Sequence, residues 1–81
     1  MNIQEAAVML DAAYERYMEL ETEFHRQQRA NFIVDARVTS RRKKAAKVLM
    51  QYANQYSSLS GEVFDWPREA VAHARAYFVE R

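Results

Sequence analysis

From Ile3 to Phe24, apolar side chains return every three or four residues: Ile3, Ala6, Leu10, Ala13, Tyr17, Leu20 and Phe24. Heptad spacing of this kind lines one side of an α-helix, and Ala7 and Tyr14 widen the stripe. Asp11, Glu15, Glu19 and Glu23 fall on the other faces. Asn2 is the expected N-cap, with Glu5 three residues on as the second half of a capping box. The stripe turns polar at Gln27 and Gln28, so the pattern predicts a helix over about 3–30.

Residues 31–40 alternate apolar and polar positions through Phe32, Val34, Ala36 and Val38. That period suits a short strand, but a lone strand needs a second edge to pair with. The preferred reading is a connection into a second helix, capped by Asp35 or Ser40. Its stripe is Val38, Ala45, Val48, Leu49, Tyr52, Tyr56 and Leu59, and Ser60-Gly61 ends it, giving a helix over about 36–59. A third helix over about 66–80 follows, with Asp65 as its cap, Pro67 in its first turn and Ala70, Val71, Ala74, Tyr77 and Phe78 as its stripe.

These elements predict an all-α, single-domain chain: a long antiparallel helical hairpin with a shorter third helix. Folded about residue 33, the hairpin sets Leu20 near Ala46, Tyr17 near Leu49, Ala13 near Tyr52 and Leu10 near Tyr56, so that large residues such as Leu20 and Tyr52 face small ones along the seam. The third helix is too short to cover the whole hairpin. Apolar surface is left over, and the expectation is a homodimer or an obligate partner.

Composition narrows the function. With 81 residues, the chain folds to a surface of roughly 5,000 Å² and a stability of only a few kcal/mol. There is no Cys, so there is no disulfide framework or thiolate metal site. A single Gly excludes a glycine-rich phosphate loop. The longest apolar run near the start, Ala6 to Leu10, is flanked by Glu5 and Asp11, unlike a signal peptide. No run approaches the roughly 18 apolar residues of a membrane span. The expected setting is the cytoplasm, away from membranes.

Net charge is +1, but it is unevenly spread. Residues 1–24 hold six acids against Arg16, a net of −5, while residues 25–47 hold eight cations against Asp35, a net of +7. Arg37, Arg41, Arg42, Lys43, Lys44 and Lys47 crowd the start of the second helix, where the helix dipole disfavours cations. One reading is structural: in a hairpin these cations lie beside Glu19 to Glu23 and fix the pairing of the helices. The other is a ligand, either an acidic protein surface or nucleic acid. Phe32, Ile33 and Val34 form an apolar knot beside the cluster, which either closes the end of the bundle or serves as a docking knob.

Catalytic chemistry finds little support. His25 and His73 each follow a Glu by four residues, Glu21 and Glu69, but two such pairs fall short of a three-ligand zinc site unless they converge. Ser57, Ser58 and Ser60 lack a nucleophile elbow and read as helix-ending residues. A glycine-free stretch at 30–40 fits a helix-turn-helix poorly. The expected function is therefore that of a small non-enzymatic helical binding protein, needing no cofactor or metal. It would occupy a macromolecular surface as an adaptor or as an inhibitor of the kind phages and mobile elements encode. The expected contacts are Phe32, Ile33, Arg37, Arg41, Arg42, Lys43, Lys44 and Lys47, with a protein partner favoured and nucleic acid on segment 37–47 as the alternative.

Overall fold

The computed structural model describes residues 2–31 and 33–79, with the side chains of 31 and 77–79 outside the description. Phe32 of the apolar knot, and Tyr77 and Phe78 of the third stripe, therefore lie outside the described side chains. The chain is all-helical, in the order α1 (Ile3–Asn31), α2 (Ala36–Ser60) and α3 (Pro67–Val79). No strand forms among the described residues; the alternating segment resolves into the end of α1, a short link and the start of α2.

Each helix starts and stops for a local reason. Asn2 Oδ1 accepts the Glu5 N–H at 2.8 Å and so caps α1. Asp35 caps α2: its carboxylate accepts the Arg37 N–H at 2.8 Å, and its main-chain oxygen accepts from Val38 and Thr39. Ser40 lies inside α2. Gly61 ends that helix with φ 76°, a left-handed conformation, and donates its N–H to Ser57 O at 3.0 Å. The neighbouring serines serve the same end, Ser57 Oγ donating to Glu62 O and Ser60 Oγ to Ser57 O.

The cap of α3 corrects the sequence reading. Trp66, not Asp65, holds the cap position, its carbonyl accepting the N–H groups of Glu69 and Ala70. Pro67 is the first helical residue, so the cap must be the residue before it. Asp65 instead donates its backbone N–H to Glu69 Oε2 at 3.3 Å.

All three helices contribute to one core, and each touches the other two. Ala6, Ala7, Leu10 and Ala13 of α1 meet Leu49, Ala53 and Tyr56 of α2 and Ala70, Val71 and Ala74 of α3. Tyr56 is fully buried; its ring packs with Phe64 and His73, and its hydroxyl is hydrogen-bonded to His73 Nδ1 at 2.5 Å. At the other end, Gln27 accepts the Asp35 N–H at 2.9 Å and binds the start of α2 to α1. Arg75 of α3 ties to Asp11 of α1 at 2.7 Å.

The molecule is elongated, 43 × 21 × 20 Å. Its radius of gyration, 14.3 Å, exceeds the about 12 Å of a compact chain this long. Val48 and Leu59, placed on the buried stripe of α2 by their spacing, stay 42% and 45% exposed. Val48 borders the groove on the side of α2 away from α3, and three- and four-residue spacing puts Leu59 on the same side.

A Cβ on Gly61 would meet no atom within 4 Å, so only the backbone conformation resists substitution there. Gly61→Ala should cost about 1 kcal/mol. Urea unfolding followed by circular dichroism should show a lower midpoint with an unchanged slope.

Candidate partner-binding surfaces

The basic segment divides into cations that are already engaged and cations that face solvent. Arg42 points back to α1. Its Nε and terminal nitrogen donate to Glu21 Oε1 at 2.9 and 2.8 Å, and its guanidinium lies 4.3 Å above the Phe24 ring. Arg42 therefore ties α2 to α1, with its side chain 32% exposed beside the seam. Glu21 is a hub, also accepting the Tyr17 hydroxyl at 2.5 Å and facing His25 Nε2 at 3.1 Å. The Tyr17 hydrogen bond, then the Arg42 guanidinium, holds the Glu21 carboxyl below its usual range against the opposing effect of burial. The same bond pushes the Tyr17 hydroxyl up, because the protonated form is the one that donates.

Arg37 is exposed and stands 3.5 Å from Asp35. The charge of Arg41 also acts on Asp35, whose carboxyl is lowered first by the Arg37 N–H. Arg41, Lys43, Lys44 and Lys47 are exposed, with no carboxylate in ion-pair range among the described residues. They do not form one patch. Arg41 and Lys44 border the side of α2 away from α3. Lys43 and Lys47 share the opposite side with Ala46 and Met50, by three- and four-residue spacing. Ile33 is 77% exposed, so it does not close the end of the bundle.

Two grooves run between α1 and α2. On the α3 side, an open groove of about 760 Å³ begins where α3 begins. Tyr14, Tyr17 and Met18 of α1 form one wall, Ala46, Leu49 and Met50 of α2 the other, and Trp66 stands at its end. Trp66 is 69% exposed, with Met50 at 47% and Met18 at 43%. On the reverse side, a shallower groove of about 240 Å³ is floored by Ala13, Leu20, Ala45 and Val48 and bordered by Arg16, Arg41 and Lys44.

Trp66, Met18 and Met50 are not among the contact residues expected from the sequence. Met18 and Met50 lie off the main stripes, and a Trp beside the single Pro reads as a helix opener. Their joint meaning comes from where α3 starts.

The histidine pairs do not converge. His25 faces Glu21, His73 is occupied by Tyr56, and Glu69 holds the Asp65 N–H. Among the described residues, no three His, Asp or Glu side chains gather to hold a metal ion. None of the described helices is long and apolar enough to cross a membrane. No family model, curated protein or solved structure matches the chain.

The Glu21 hub has a pH signature. A carboxyl lowered in the folded state adds stability above its unfolded value of 4.5, and that contribution is lost as pH falls through the folded value. Glu21→Gln removes it. The stability gap between wild type and Glu21→Gln should be widest at neutral pH and narrow steadily below 4.5. Denaturant midpoints measured across that range provide the check.

Proposed function

We propose that this protein is a non-enzymatic helical binding protein, an adaptor or inhibitor. It would receive one amphipathic helix of a protein partner in the groove beyond α3. In this reading α1 and α2 form a long antiparallel hairpin, and α3 fills half of one face. At 1.5 Å per residue, the 29 residues of α1 span about 43 Å and the 13 of α3 about 20 Å. The remainder, about 23 Å, accommodates a helix of roughly four turns laid end to end with α3. The observation that carries the reading is the exposure of Trp66, Met50 and Met18 around that vacant length. Large, adaptable apolar side chains in a groove are what helix-in-groove recognition uses.

Charge specifies the partner further. The α2 border of the groove carries Lys43 and Lys47, and the α1 border carries Glu15 and Glu19 beside Met18. A fitting helix has acids on the flank that faces α2 and bases on the flank that faces α1. The chain itself is proposed to act as a homodimer.

The second reading is nucleic-acid binding. It is favoured by the exposure of Arg37, Arg41, Lys43, Lys44 and Lys47 without close ion pairs beyond that of Arg37. Their division between two sides of α2 weighs against a single backbone track.

Met50→Glu or Trp66→Ala should leave far-UV circular dichroism unchanged. Either should weaken capture of the partner from nuclease-treated host extract about 30-fold, the loss of about 2 kcal/mol typical of a hot spot. Photocrosslinks from position 66 should reach a helical segment of the partner. Retention that needs nucleic acid, falls steeply with salt and ignores both variants would transfer the function to the second reading.

A further inference from the structure

We infer that the groove away from α3 seats a second copy of this chain, stacked antiparallel with α1 on α1 and α2 on α2. The inference rests on the proposed homodimer, and it assigns that dimer a face the partner groove does not share. The first support is apolar surface of matching position. Met9, Val48 and Leu59 are 39%, 42% and 45% exposed, and three- and four-residue spacing places them on the stripes of Ala13 and Ala45 that floor this groove. Ala12 and Ala13 allow two helices to approach closely here. A face of about 43 by 21 Å can bury the about 800 Å² per partner of a standard interface.

The second support is charge. The face has a basic end, with Arg16, Arg41 and Lys44. Toward the other end, four-residue spacing from Met9 puts Glu5 of α1 on the same face. A two-fold axis level with Met9–Ala12 on α1 and Tyr52 on α2 makes the face complementary to itself. It brings Glu5 opposite Arg16 of the second copy, and symmetry repeats the pair. Met9 then falls against Ala12 of the second copy, large against small. In the single chain Arg16 lies 3.6 Å from Glu19, both side chains being more than half exposed, which leaves Arg16 available to a better-placed carboxylate. Parallel stacking sets the basic ends against each other and is disfavoured.

Sedimentation equilibrium of the full chain tests this, with circular dichroism confirming the fold of each variant. Wild type should be dimeric at micromolar concentration. Val48→Glu, at an already exposed position, should give a folded monomer. Glu5→Arg and Arg16→Glu should each weaken the dimer about tenfold, and the double exchange should restore it to within about threefold. Met50→Glu, in the other groove, should leave the dimer intact. A wild type that stays monomeric at high micromolar concentration overturns the inference. So does a dimer broken by Met50→Glu but not by Val48→Glu, or a double exchange no better than its single variants. Because Met50→Glu separates the grooves, failure here leaves the partner-binding reading standing on its own test.

Discussion

The constraint on which the structure depends is the thinness of its core. Of the twelve buried hydrophobic residues among those described, seven are Ala, and Tyr56, Leu10 and Val71 are the largest that are fully enclosed. Alanine lets helices approach closely and removes little apolar area from water per residue. The bulkier side chains are thereby pushed to the margins. Tyr14, Tyr17 and Tyr52 are partly buried around the cluster, and Met18, Met50, Val48 and Trp66 are more exposed still. A core built this way holds three helices together without consuming the apolar surface on either side of the α1–α2 seam.

Polar ties add geometry where the core is thin. Each joins an acid of α1 to a cation of a later helix: Glu21 to Arg42, and Asp11 to Arg75. Both guanidiniums also lie over an α1 aromatic ring, Phe24 for Arg42 and Tyr14 for Arg75. Partly exposed pairs of this kind contribute modestly to stability. Their value is in register, since each guanidinium is held by a carboxylate and a ring at once. The charge separation in the sequence is therefore partly architectural: α1 carries acids where α2 and α3 bring cations. What remains around Arg41, Lys43, Lys44 and Lys47 is surplus to that role.

The helices were legible because their signals are local. Heptad spacing, Asn2 and Asp35 as caps and Gly61 as a stop are read from a few neighbouring residues, and each acts through its own backbone. The misplaced cap of α3 is also local, and Pro67 held the answer: a first-turn Pro makes Trp66 the cap. Other features depend on three dimensions. Nothing in the run Arg41-Arg42-Lys43-Lys44 shows that only Arg42 turns inward, because that depends on the rotation of α2 against α1. Val48 and Leu59 illustrate the same point, since spacing places them on a stripe while the position of α3 decides which edge of the stripe is covered. The groove at Trp66 was legible only as leftover surface; its walls required knowing where α3 lies.

That position follows from what holds the two ends of α3. Ala70, Val71 and Ala74 pack over the Ala6–Leu10 end of the seam, and Arg75 ties α3 there to Asp11, in the first half of α1. Pro67 fixes where α3 begins, because it cannot supply the N–H that a longer upstream helix would require. With one end tied and the other stopped, α3 cannot extend over Tyr17, Met18 and Met50. The vacant length of groove thus follows from where Pro67 stops α3 and where Ala70, Val71 and Ala74 pack against the other helices. Trp66, the cap residue between link and helix, stands beside that vacancy, so the residue that opens α3 also forms the end wall of the surface proposed for a partner.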